Sequence, residues 1–128
     1  MFINYSNHPS AGWMDEQKNE ASTAYGSIAD VPFPAVPVEY TSDEVRQLAE
    51  AEVKKLRNEL QESSDIRNAV MCQGEFTLSY AVIFGLQAAG IRVVSAVSER
   101  KTVEKIENGT SVKTSFFCFA GFREYCKF

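Results

Sequence analysis

A single α/β domain built on a mainly parallel sheet is the fold class this chain predicts, and three observations carry it. Short apolar strand-like segments alternate with helix-like ones as far as Val97, the order in which right-handed crossovers build a parallel sheet. The 128 residues suffice for one compact core and one domain, residues 1–128. Asn108-Gly109, set between "TVEKIE" and "TSVKTSFFCF", is a strong hairpin signal that ends the chain on an antiparallel pair.

The elements follow in order. "FINYS" (Phe2 to Ser6) is short, apolar and β-compatible, and it stops at the turn formers "NHPSAG". Trp13, Gln17, Ala21 and Ala24 then recur at helical spacing until Gly26, placed for a left-handed C-cap. "SIADV" makes a second strand, ended by Pro32, Pro34 and Pro37, which donate no ladder bonds. Thr41 and Glu44 have capping-box spacing, and Val45, Leu48, Val53, Leu56 and Leu60 supply the apolar stripe of a second helix whose other face is acidic and turned outward. "NAVMC" is a third strand. Phe76 to Ala89 is apolar on nearly all sides, so this third helix is expected to be buried, with Gly90 as its stop. "IRVVSAV" is a fourth strand.

The expected parallel order is 2-1-3-4. In that order the chain leaves strands 1 and 3 in opposite directions, so their C-terminal ends flank a switch-point crevice, the usual ligand position. The loops "SNHPS" and "QGEFT" lie there.

Composition narrows the function classes. With 45% hydrophobic and 23% charged residues, the chain reads as an ordinary soluble globular protein. Its longest apolar run, around Tyr80 to Gly90, is broken by Gln87 and is far short of the roughly 20 residues of a membrane span. "MFINYSNHPS" lacks the basic start of a secretory signal. Cys72, Cys118 and Cys126 fit neither a paired framework nor a metal-ligand spacing, which favours a reducing cytoplasm. Asn108-Gly109-Thr110 is taken as a chance glycosylation sequon. The net charge of −4 argues against a general binder of long nucleic acid. The charge is uneven: residues 1–90 hold 6 Lys/Arg against 13 Asp/Glu, net −7, and residues 91–128 hold 7 against 4, net +3. A locally basic C-terminal part suits a small anionic ligand or merely a solvated hairpin.

Each crevice residue has a structural reading beside a functional one. Gly74 suits a tight strand-to-helix turn, and its missing Cβ also lets a ligand approach. The amides of Phe76 and Thr77 begin a helix and carry the partial positive charge that attracts phosphate. Glu75 at the same place either stabilises that terminus or accepts bonds from a base edge or ribose. His8, the only histidine, is the one side chain whose unperturbed pKa suits proton transfer near neutrality; the alternative is plain polar surface beside Asn7, Pro9 and Ser10. Trp13 packs in the core or offers a stacking face to a base, with Gln17 on the same helix face. Ser98, Glu99 and Arg100 are expected to end the fourth strand on the ligand side, where Arg100 either pairs with a phosphate or with Glu99 or Glu104. In "FREY", alternation turns Phe122 and Glu124 one way and Arg123 and Tyr125 the other. No GxGxxG and no GxxxxGK[ST] is present, which removes the dinucleotide fingerprint and the triphosphate loop. There is no HExxH and no Cys/His quartet, so any catalysis is expected to need no metal and no other cofactor.

Together "SNHPS...W...Q", "QGEF", "SER" and the terminal "FREY" resemble the small CRISPR-associated proteins of type III systems, whose compact Rossmann-like domain is related to the CARF fold. The resemblance spans nearly the whole chain through short motifs, with Glu75 where the family also carries Asp. It implies a cytoplasmic homodimer that binds cyclic oligoadenylate, cyclic tetraadenylate first, with two crevices joined around one ring. Some such proteins are ring nucleases and others only sequester the messenger. On the nuclease reading a ribose 2′-OH attacks its adjacent phosphate. His8, Glu75 and Arg100 are then the expected catalytic residues; Asn7, Ser10, Trp13, Gln17, Gln73, Gly74, Phe76, Thr77, Ser98 and Arg123 are expected to hold the ligand. The alternatives are a non-catalytic sponge or sensor, and a Rossmann-like module whose third helix and "FFCFAGF" segment bind a protein partner.

Overall fold

The computed structural model describes residues 1–64 and 66–128. One five-stranded sheet runs in the order β2-β1-β3-β4-β5, from β1 (Phe2–Ser6), β2 (Ile28–Pro32), β3 (Ala69–Cys72), β4 (Arg92–Glu107) and β5 (Thr110–Glu124). The first four are parallel and β5 returns antiparallel to β4. Three helices connect them: α1 (Asp15–Tyr25), α2 (Ser42–Gln61) and α3 (Phe76–Ala88). The architecture is a mostly parallel α/β sheet of the Rossmann-like kind.

β1 and β3 are buried at every position, as strands covered on both sheet faces must be. Ile3, Tyr5, Val70 and Val93 pack on one face with Leu56 and Leu60 of α2 and Leu78, Val82 and Leu86 of α3. Phe2, Ala69, Met71 and Val94 pack on the other with Ala21 of α1, and Trp13 and Phe122 close that cluster. The chain therefore leaves β1 toward one face and β3 toward the other, and the crevice opens between these exits.

Local chemistry accounts for the boundaries. Thr41 and Glu44 exchange both bonds of a capping box at the start of α2, an arrangement worth about 1 kcal/mol for the cap alone. Gly26 takes φ +92 after α1 and Gly90 φ +80 after α3, conformations that cost a side chain energy. Asn108 and Gly109 both have positive φ, the requirement of a two-residue I′ turn.

Four expectations need correction. Ser98 to Arg100 do not end the fourth strand: β4 runs unbroken to Glu107. It pairs with β3 only as far as Val94, and beyond that it forms a two-stranded ribbon with β5, exposed along both strands from Ser98 to Phe117. A ribbon wetted on both faces needs no apolar alternation, so the charged run Ser98 to Lys101 looks like the end of one strand rather than the link that joins "IRVVSAV" to the hairpin strand "TVEKIE". α3 is not buried all round, because α2 and the sheet cover only one side; Phe76, Tyr80 and Phe84 stand exposed. Trp13 precedes α1 at the end of a short 3-10 turn, Ser10–Gly12, so it does not share a helix face with Gln17. Finally, the inward stripe of α2 is not wholly apolar: Glu52, on the buried face between Ala49 and Leu56, accepts the Tyr5 hydroxyl at 2.8 Å, with Lys55 3.0 Å away.

Candidate functional site

Asn4 is the pivot of the first loop. An amide side chain buried inside a strand must find partners or cost several kcal/mol. The Asn4 side-chain nitrogen donates to the His8 carbonyl at 2.8 Å and to Asp30 Oδ1 at 3.0 Å. Its oxygen accepts from Ser6 Oγ at 2.6 Å, and Ser6 Oγ in turn accepts the His8 amide at 3.2 Å. Asp30, in the middle of β2 and opposite Asn4, also accepts the Ser10 amide and hydroxyl at 3.1 to 3.3 Å. The backbone of Asn7-His8-Pro9 is thereby folded inward, and the side chains of Asn7 and His8 are turned out to solvent at the crevice. The His8 imidazole has no hydrogen-bond partner among the described residues. Ser10 serves the loop's anchorage through Asp30. Asn4, Ser6 and Asp30 are functional candidates that sequence reasoning missed; the signal available was two polar residues inside the otherwise apolar "FINYS".

Trp13 is half-buried, edge-on to Phe2 with ring centres 6.1 Å apart. Gln17 reaches the Met71 sulfur at 3.9 Å. Gln17 thus lies over the third residue of β3, whereas the Trp13 ring packs on the first residue of β1, in the core cluster of that face.

The second turn is stitched to the sheet. Gln73 donates its amide to the Tyr5 carbonyl at 3.2 Å, and its side-chain oxygen accepts the Ala96 amide at 3.0 Å. A Cβ on Gly74 would sit 2.5 Å from three ring atoms of Phe33. The glycine is thus what allows the segment after β2 to lie under this turn. Glu75 is the N-cap of α3, accepting the Thr77 and Leu78 amides at 2.9 and 2.8 Å and the Thr77 hydroxyl at 2.8 Å. Those three bonds, the Leu78 amide first, hold its carboxyl below the usual glutamate range. The Thr77 amide is therefore occupied by a carboxylate, not offered to a phosphate, while the Phe76 side chain stands exposed beside it.

Arg123 lies opposite Ser95 in the β4–β5 pair. It is exposed, makes no ion pair among the described residues, and lines a cavity of about 420 Å³ with Ser95 to Ser98, Glu124 and Tyr125. Tyr125 is fixed there by its hydroxyl on the Cys72 carbonyl at 2.8 Å and its carbonyl on Gln87 Nε2 at 2.9 Å. Cys72 is no nucleophile, since burial pushes its thiol up to about 12.

Structure thus brings His8, Asn7, Ser10, Gln17, the Gln73–Thr77 turn, Ser98 and Arg123 to one end of the sheet, while the Trp13 ring packs into the core on Phe2. It does not bring Arg100. That residue is six positions past Val94, about 20 Å further along an extended strand, and its guanidinium donates to Ser115 Oγ at 3.4 Å. Among the described residues no group of three or more His, Cys, Asp or Glu is placed to hold a metal ion, and no helix is long and apolar enough to cross a membrane.

Residues 1–123 match the family described as "Uncharacterized protein MJ1673 family", and the chain belongs to that family. Among curated proteins no match is found.

Proposed function

For this member of the MJ1673 family we propose a cytoplasmic protein of type III CRISPR defence that binds cyclic oligoadenylate, cyclic tetraadenylate first, as a two-fold dimer with a CARF-like crevice. One observation carries the reading: the outward-facing His8 and Asn7 and the uncommitted Arg123 flank the diverging ends of β1, β3 and β4. A cation and hydrogen-bonding side chains on rigid strand ends suit one phosphate and its ribose. A crevice of this size encloses part of a ring, so a symmetric ligand calls for a symmetric pair of crevices.

Cleavage on this reading needs only alignment. The ribose O2′ forms a bond to the adjacent phosphorus and the P–O5′ bond breaks, giving a cyclic phosphate and a free 5′-hydroxyl. His8 takes the 2′-OH proton or supplies the one that the departing O5′ requires, while Arg123 balances charge on the phosphoryl oxygens. The sponge is the second reading, and it has its own support. Glu75 is consumed by capping and Arg100 stands on the ribbon, which leaves His8 as the one of the three expected catalytic groups that is both at the crevice and uncommitted among the described residues.

A thermal-shift panel of cyclic tri-, tetra- and hexaadenylate, followed by chromatography of each incubation, tests both. A shift with linear products supports the nuclease, and a shift without products supports the sponge. Unchanged melting with all three rings ends the binding reading.

A further inference from the structure

We infer that the exposed face of α3 is covered by α3 of a second copy of this chain. α3 packs inward through Leu78, Val82 and Leu86. It lies so close to α2 that a Cβ on Gly85 would come within 2.9 Å of Val53. Its outer face is unusual in two ways. Phe76, Tyr80 and Phe84, at i, i+4 and i+8, are 89%, 74% and 67% exposed, so a stripe of three aromatic rings about 12 Å long faces water. And α3 contains no charged residue at all, while α1 carries four charges in its first half and α2 carries charges along its whole length.

Area and charge together select the occupant. The three rings leave roughly 450 Å² of side chain uncovered, taking ~200 Å² per aromatic, which matches the largest patch an ordinary monomer exposes. That is more than half of the ~800 Å² one partner gives to a standard interface. Beside the stripe the C-terminal tail walls a groove of about 670 Å³ that adds Ile83 and Phe128 to the apolar surface. A chain of net charge −4 repels its own copies along charged faces, and the charge-free stripe is where two copies meet without that cost. Residues spaced by four on one helix also pair with themselves across a two-fold axis, as an isologous contact demands.

Orientation rests on the proposed ring binding. Only with the two α3 helices side by side in the same direction do their Glu75-capped ends, and hence both crevices, open at the same end of the dimer. Phe76 then meets Phe76, Tyr80 meets Tyr80 and Phe84 meets Phe84.

Light scattering of the wild type is expected to give twice the chain mass, and a Tyr80→Glu/Phe84→Glu variant the single mass with an unchanged far-UV spectrum. A monomeric wild type up to its solubility limit overturns the inference, as does a dimer that survives both charges. Phe76→Cys in a Cys118→Ser/Cys126→Ser background is expected to form a covalent dimer under mild oxidation. Failure to cross-link while the dimer persists overturns the parallel arrangement. A dimer broken by the two glutamates but indifferent to every cyclic oligoadenylate upholds the interface and sinks only the ligand; ring binding by a strict monomer does the reverse.

Discussion

The side-chain oxygen of Gln73 accepts the Ala96 amide at 3.0 Å, two residues beyond the last backbone pair of β3 with β4, Met71 with Val94. The side chain continues a ladder that the short β3 cannot, and it does so where β4 begins to leave the sheet. Gln73→Ala leaves a half-buried amide unpaired, which is expected to cost about 1 to 2 kcal/mol. The check is a lower urea midpoint with an unchanged slope. Gln73→Glu, which keeps an acceptor oxygen, is expected to recover most of the loss. A Gln73→Ala protein that unfolds like the wild type would remove the structural role.

Gly74 makes a sharper demand on space than on backbone conformation. With three Phe33 ring atoms 2.5 Å from where a Cβ would stand, Gly74→Ala forces a buried ring to move, and overpacking of that kind costs roughly 1 to 3 kcal/mol. Phe33→Leu on its own opens a void. Combined, the two are expected to be less damaging than the sum of the singles, a coupling that a double-mutant cycle in urea reads directly. Strict additivity would place the effect elsewhere.

Much of this fold was legible because local rules and the global pattern agree. The capping box at Thr41 and Glu44, the glycine stops and the Asn108-Gly109 turn are encoded in a few adjacent residues each. Illegible features depend on distant partners. Glu52 looks like one more solvated acid on α2 until Tyr5 arrives from β1. Gln73 and Glu75 look like ligand groups because polar residues at a crevice usually are, yet their bonds go to Ala96 and to the first turn of α3. The apolar composition of α3 signals a covered helix, while a single chain covers one side of it. Arg100 was misplaced for the opposite reason: its charged neighbourhood hid the continuity of two expected strand segments, which form one strand from Arg92 to Glu107.

Glu75 gives the protein a pH signature. Its folded-state pKa is depressed by the Leu78 and Thr77 amides and the Thr77 hydroxyl. In the window between that value and the unfolded value near 4.3, the unfolded chain therefore binds more protons than the native one. Stability from this cap is complete above the unfolded value and is lost as pH falls through the folded one. Thermal melts of wild type and Glu75→Gln are expected to differ most near neutrality and to converge in strong acid. A difference independent of pH would show that the charge is irrelevant to the cap.

Arg123 and His8 carry the functional bet, and they separate binding from chemistry. Among the described residues Arg123, at the crevice cavity, makes no ion pair, whereas Arg100 bonds to Ser115 on the ribbon. If the crevice binds a ring phosphate, Arg123→Ala is expected to weaken binding by roughly 1.5 to 3 kcal/mol, the scale of a charge-assisted bond. Arg100→Ala is expected to change it little, and titration calorimetry with cyclic tetraadenylate compares the two. The His8 backbone is fixed by Asn4 and Ser6, so His8→Ala removes the imidazole without freeing the loop. Binding is then expected to persist while any ring opening slows about 10²- to 10⁴-fold. A His8→Ala protein that opens the ring at the wild-type rate would take proton transfer away from this residue. Equal losses of affinity in Arg123→Ala and Arg100→Ala would return the ribbon to the binding site, reaching it from the same chain or across the dimer.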